Sequence, residues 1–199
     1  MYPIEIFSSR DFLIFLSLSV FVLYIPLNRI IKEGRHLKHR WDDHVPLVPF
    51  FVFPYLFFYF PWIVWFYGSL YYRPLIEVQQ ATFATVISGI IGYSVFIFFP
   101  TYVDQHKVAN DSWAGWFLER VYMHDRRVNA FPSMHVTVTI MLLLFTWQRS
   151  VVMGMIFLPV GGAIIVSTVL TKQHYLYDIA GGFFLGVFSF FISHQMIFA

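Results

Sequence analysis

From Val45 to Tyr72 the chain runs without one Asp, Glu, Lys or Arg, and from Val78 to Val103 it does so again. A bilayer-spanning helix needs about 20 mostly apolar residues, and each run is long enough to hold one. Composition agrees that lipid is the solvent. Of the 199 residues, 12% are charged, 58% are hydrophobic and 25 are Phe, whereas a soluble domain carries about 25% charge. The absence of Cys excludes disulfides and thiolate metal sites. The net charge of +2 gives no reason to expect a nucleic-acid partner.

Six stretches fit or nearly fit the spanning length, so the expected fold is all-α: six transmembrane helices in one bundle, forming a single integral-membrane domain over residues 1–199. The expected spans are Phe12 to Ile31, a segment within Val45 to Tyr72, a segment within Val78 to Val103, Phe131 to Trp147, Val151 to Thr171, and Tyr177 to Ala199. The first has no basic leader and no small-x-small cleavage site, so it reads as a span rather than a cleaved signal. The second carries Pro46, Pro49, Pro54 and Pro61, and a bend or break is expected near Pro54 or Pro61. Gly161-Gly162 and Gly181-Gly182 predict close packing between the fifth and sixth helices.

Six crossings put the first, third and fifth connections on one face. The third, Tyr102 to Ala130, is the longest, and Trp113, Trp116 and Phe117 in it predict an interfacial helix. Lys and Arg are divided unequally. Arg29, Lys32, Arg35, Lys38, Arg40, Lys107, Arg120, Arg126, Arg127 and Lys172 fall on this face, against Arg10, Arg73 and Arg149 on the other. That bias argues for a cytoplasmic face. The stretch from Arg29 to Arg40 reads as a loop against anionic headgroups. His36, His39, His44, His106, His124 and His194 read as structural or solvated.

Two polar islands on that face carry the chemistry: "NAFPSMHV" from Asn129 and "TKQHYLYDIAGG" from Thr171. His174 and Asp178 are four residues apart, one turn if the sixth helix begins near His174. A carboxylate there fixes the imidazole tautomer and frees the other nitrogen as a nucleophile. Lys172 adds a cation beside it. Ser133 and His135 open the fourth helix, with Pro132 suited to its first turn. Its first amides, including that of Met134, form an anion seat. Ser133 adds a hydroxyl, and His135 a proton for a leaving group. The sum fits phosphoryl transfer through a phosphohistidine. His135, His174 and Asp178 also fit a zinc site with an open position, and a lipid-phosphate binder without turnover is a third reading.

"FPSMHV" followed by "STVLTKQHYLYDIAGG" resembles the type 2 phosphatidic acid phosphatase superfamily of membrane lipid phosphatases. Pro132, Ser133 and His135 match its P-S-x-H motif. Ser167, His174 and Asp178 match its S-R-x5-H-x3-D motif, with Thr168 at the arginine position. "TKQHY" is similar to a branch that includes inositol phosphorylceramide synthases. The resemblance implies His174 as nucleophile, Asp178 as its partner and His135 as acid, in a reaction without metal or cofactor. It also implies a lipid phosphate substrate and an active site on the extracytoplasmic face. The first motif, K-x6-R-P, is missing. Arg73-Pro74 falls on the opposite face, Gln105 and His106 stand where an Arg-Pro is expected, and Lys107, Arg126 or Arg127 is left to supply the charge. Water as acceptor makes the enzyme a phosphatase hydrolysing a phosphomonoester or diphosphate; a lipid or polyol hydroxyl makes it a phosphotransferase.

Overall fold

The computed structural model describes residues 9–31, 33–104, 106–108 and 112–198. Lys32, Gln105 and Ala199, named above, lie outside these residues. The helices are α1 (Arg10–Ile30), α2 (Tyr59–Leu70), α3 (Leu75–Phe98), α4 (Trp113–His124), α5 (Met134–Arg149), α6 (Val151–Leu170) and α7 (Leu176–Phe198). Serines start four of them. The side chains of Ser9, Ser112, Ser133 and Ser150 accept from the amides of Phe12, Gly115, Val136 and Met153. Each so satisfies one of the orphan donors of a helix start.

Five helices are long and apolar enough to cross a membrane: Arg10–Ile30, Pro49–Leu70, Leu75–Phe98, Val151–Leu170 and Leu176–Phe198. The expected fourth span is shorter than the sequence implied. α5 has 16 residues, about 24 Å at the helical rise of about 1.5 Å per residue, because Ser133 rather than Phe131 starts it. It is also the centre of the bundle, with buried residues from Val136 to Thr146. α6 and α7 both pack on it, and α7 also packs on α3, which packs on α1. The outer surface is apolar: Phe15, Val22, Val64, Ile90 and Phe184 are all exposed.

The break in the second span falls where Pro54 stands. A 3-10 turn at Pro49–Phe51 and a π turn at Pro54–Phe58 precede α2. Pro61 causes no break, since it sits in the first turn of α2, where its missing N–H is no loss. The glycines serve a different contact from the one expected. A Cβ on Gly161 would strike Leu143 of α5, and one on Gly182 would come within 2.4 Å of the Ser133 carbonyl, while Gly162 faces open space. Thus α6 and α7 each close on α5 rather than chiefly on one another.

The first, third and fifth connections meet. Arg35–His36 pairs in parallel with Thr101–Tyr102, a short strand ladder that the all-helical expectation lacked. The Tyr175 hydroxyl lies 2.8 Å from His36 Nε2, and Val103 N–H donates to Arg127 O at 3.0 Å. At the other end of the bundle, Arg10 donates to the Arg73 carbonyl, and Arg149 pairs with Glu77 at 3.1 Å.

Candidate active site

α7 begins at Leu176, so His174 precedes the helix rather than lying on its face. The contact forms all the same, with His174 Nδ1 3.5 Å from Asp178 Oδ2 and the carboxylate fully buried. That distance is an ion-pair contact rather than a formed hydrogen bond. Asp178 also accepts the Tyr175 N–H at 2.8 Å, the backward reach of an acidic residue in a helix's first turn. A residue that the sequence reading missed completes the start. Asp42, from the first connection, accepts the Leu176 N–H at 2.9 Å through Oδ1 and the His39 N–H at 2.7 Å through Oδ2.

Ser133 is the N-cap of α5 and fully buried, its hydroxyl accepting from Val136 N at 3.4 Å. Pro132 therefore precedes the cap instead of occupying the first turn. The amides of Met134 and His135 open the helix, where no intrahelical acceptor exists. The two islands are joined through the backbone, Ser133 N–H donating to Asp178 O at 3.0 Å. Thr137 Oγ1 reinforces the seam by donating to Ser133 O at 2.9 Å and Gly182 O at 3.2 Å.

His135 is clamped between two tyrosines of the broken second span. Its ring centroid lies 4.5 Å from Tyr55 and 4.4 Å from Tyr59. The π turn that Pro54 opens brings both rings to the imidazole, and such turns gather at functional sites. His135 and His174 face each other edge to face, centroids 6.1 Å apart. Both line one cavity of 390 Å³. Its walls are apolar residues of α1 and α2, among them Phe21, Val22, Phe60 and Ile63, with Asn129 and Met134 beside the histidines. His135 Nε2 is buried and has no hydrogen-bond partner.

The expected cations are placed unequally, and among the described residues no Lys or Arg lines this cavity. Lys172 is buried with Nζ donating to the Asp42 carbonyl at 2.9 Å, and burial lowers its pKa from the ordinary value. It braces the first connection. Arg127 is buried over the ring of Tyr122, whose hydroxyl donates to Thr171 O at 2.6 Å; its Nε and one terminal nitrogen have no partner. Arg126 is exposed and donates to Arg29 O at 2.9 Å. It lines a second cavity of 480 Å³, which shares His135 with the first. Lys107 is exposed. Among the described residues, the non-glycine positions with positive φ are Arg127, Asn129 and Lys172, at 57°, 63° and 52°. Asn129 and Lys172 lie in the islands and Arg127 just before the first, and strained backbone of this kind concentrates at functional sites.

Besides Asp42, the sequence reading missed Tyr55, Tyr59 and Asn129. The tyrosines lie in the uncharged run from Val45 to Tyr72, where only the break expected near Pro54 or Pro61 marks a local departure from a plain span. Asn129 was quoted as the first letter of an island and given no role.

The PAP2 superfamily model matches residues 22–192. The chain belongs to the PAP2 superfamily. The matched span carries both islands and the three connections that meet over them. Searches of curated proteins and of solved structures return no match. Membership of the PAP2 superfamily is consistent with phosphatase-type chemistry. Among the described residues no three His, Asp or Glu side chains are grouped to hold a metal ion.

Proposed function

We propose that this chain is an integral-membrane lipid phosphatase that hydrolyses a lipid phosphomonoester or diphosphate through a phosphohistidine at His174. The observation that carries the reading is the shared cavity. Two histidines converge at one end of a 390 Å³ apolar space, with a buried carboxylate behind one of them. Asp178 faces Nδ1 of His174, which leaves Nε2 as the nucleophile. The Nε2–P bond forms as the bond from phosphorus to the lipid oxygen breaks, and that oxygen takes a proton from His135. Water then attacks phosphorus, His135 takes a proton from it, and the P–N bond breaks. The sum is lipid phosphate plus water giving lipid alcohol plus phosphate, or lipid diphosphate plus water giving lipid monophosphate plus phosphate, with no cofactor.

In this reading α5 is a sixth crossing. It connects the island face at Ser133 to the opposite face at Arg149, and its short length is suited to a helix shielded by its neighbours. α4 lies at the headgroup level, with Trp113 and Trp116 half exposed and Arg120 over the ring of Trp116. The island face is extracytoplasmic. Impermeant thiol labelling of a Cys placed at Ser112 in intact cells tests that; labelling only after permeabilisation reverses the orientation.

One observation favours a phosphotransferase as the second reading. The 480 Å³ cavity on the other side of His135 carries Asn28, Arg29, His124, Asp125 and Arg126, groups fit to hold a polyol acceptor. Radiolabelled phosphatidate, phosphatidylglycerophosphate and a polyprenyl diphosphate, each with chelator present, separate the readings. A hydrolase releases phosphate from one of them without acceptor; a transferase moves label only when an alcohol is added. No label transfer to His174 or product from any of the three would sink both.

A further inference from the structure

Asn129 is 2% exposed, yet both its side-chain atoms, Nδ2 and Oδ1, lack a hydrogen-bond partner. A buried primary amide with neither end bonded is costly, and the orphan needs an explanation. Its backbone is held firmly. The Asn129 N–H donates to Thr101 O at 2.8 Å, Val128 bridges Tyr102, and Phe131 N–H donates to Thr101 Oγ1 at 2.8 Å. Its φ of 63° is one that Asn tolerates better than most side chains. Asn129 is among the residues that line the cavity shared by His135 and His174.

The geometry points to Asn129 as the residue that seats the transferred phosphoryl group and orients the water that releases it, a role that rests on the phosphohistidine reading above. An ionised phosphate offers only acceptors, so Nδ2 donates to a non-bridging phosphoryl oxygen. Oδ1 then needs a donor. The donor that hydrolysis brings is water, standing where the lipid oxygen has left, on the side of phosphorus opposite His174. One O–H of that water points at Oδ1 and the other at His135. The O–P bond forms, the P–N bond to His174 breaks, and the proton goes to His135, as in the second half of the reaction. Asn129 moves no proton; it fixes the water, as an amide side chain does in other phosphoryl-transfer sites. Among the described residues no Lys or Arg lines this cavity, which leaves the amide N–H a share of the phosphate's charge that a cation would otherwise take.

The test is rapid-quench kinetics of the full chain in detergent with para-nitrophenyl phosphate. The burst of nitrophenolate reports phosphorylation, and the steady state reports release. Asn129→Gly keeps the left-handed backbone and removes the amide. Its burst is expected to slow yet remain visible, because the phosphate loses one donor, while release, which also loses the acceptor that holds the water, slows further, by about 100-fold, and phosphorylated protein accumulates. Asn129→Asp keeps an acceptor but sets a carboxylate against the phosphate, so its burst slows. Equal slowing of both steps in Asn129→Gly, no change in either, or an unaltered burst in Asn129→Asp overturns the role. Circular dichroism melts separate misfolding from these outcomes, and an unfolded Asn129→Gly marks the residue as structural and likewise overturns it. A wild-type protein with neither burst nor steady state overturns the phosphohistidine reading itself, a result distinct from any variant-specific loss.

Discussion

Ser133 donates its backbone N–H to the carbonyl oxygen of Asp178 at 3.0 Å. This bond ties the cap of α5 to the first turn of α7, and so the helix start proposed to seat the phosphate to the carboxylate behind His174. No side chain is involved, so its geometry depends on how closely the two helices approach. That approach is set by Gly182, where a Cβ would lie 2.4 Å from Ser133 O and 2.9 Å from the Val136 Cβ.

Gly182→Ala should therefore push the islands apart. A methyl against backbone cannot be relieved by a rotamer change, and overpacking of this kind costs about 1–3 kcal/mol. The variant should melt at a lower temperature in detergent and lose most phosphate release. Gly162→Ala is the control. Its Cβ meets nothing within 4 Å, so it should keep activity and gain up to about 1 kcal/mol from helix propensity. Equal melting temperatures for the two variants would refute the seam.

Asp42 gives a second prediction. Its carboxylate accepts two backbone amides, those of His39 and Leu176, and acts as a cap supplied to α7 from a distant connection. Asp42→Ala should cost about 0.5–2 kcal/mol, the range for cap losses, and should lower kcat through misplaced His174. Lys172→Met should behave similarly, because Nζ holds the Asp42 carbonyl. Both should lower the melting temperature while KM stays near the wild-type value. A large rise in KM for Lys172→Met, with stability intact, would return Lys172 to the phosphate.

Most of the site-bearing topology was legible because it depends on periodicity and solvent. Uncharged runs such as Val78 to Val103 are expected to hold a helix and do, in Leu75–Phe98; the alternation of crossings puts connections one, three and five on one face, and the structure brings those connections together. His174 and Asp178 were legible from their spacing, although the contact forms in the turn before α7 rather than along its face. The rest depends on long-range placement. Nothing local to "RWDDH" says that Asp42 will cap a helix starting at Leu176. Tyr55 and Tyr59 reach His135 only through the π turn after Pro54. Lys172 sits beside His174 in sequence, but its left-handed backbone turns it to Asp42, a direction that spacing does not encode.

A pH prediction comes from His106, in the third connection. Burial, with Lys172 and Arg127 nearby, holds its pKa below the ordinary 6.5. Protonating it is then harder in the folded state than in the unfolded one. Between the lowered value and 6.5 the unfolded chain binds more protons, so stability rises with pH through that window. The contribution is complete above pH 6.5 and is lost as pH falls. His106→Asn should flatten this part of the curve of melting temperature against pH and leave the alkaline side unchanged. An unaltered acid limb would assign it to other groups.

The last prediction divides the labour of the two histidines. His174→Ala should abolish both label transfer to the protein and turnover. Asp178→Asn should keep the fold, since an amide oxygen still accepts the Tyr175 N–H. It should nonetheless cost about 10⁴ in rate, as tautomer loss does in other oriented-imidazole sites. In the proposed mechanism His135 acts on the leaving oxygen, so its loss should depend on the substrate. A lipid alkoxide departs poorly without a proton, and there the defect of His135→Ala should be large, about 10²–10⁴ for a lost general acid. A para-nitrophenolate needs little protonation, so the defect should shrink by most of that factor. The same substitution leaves Tyr55 and Tyr59 without their central ring, and His135→Gln, which fills the space without a matching acid, should reproduce the substrate dependence. A defect of equal size on both substrates would show that His135 holds the clamp or binds phosphate, and that the proton comes from elsewhere.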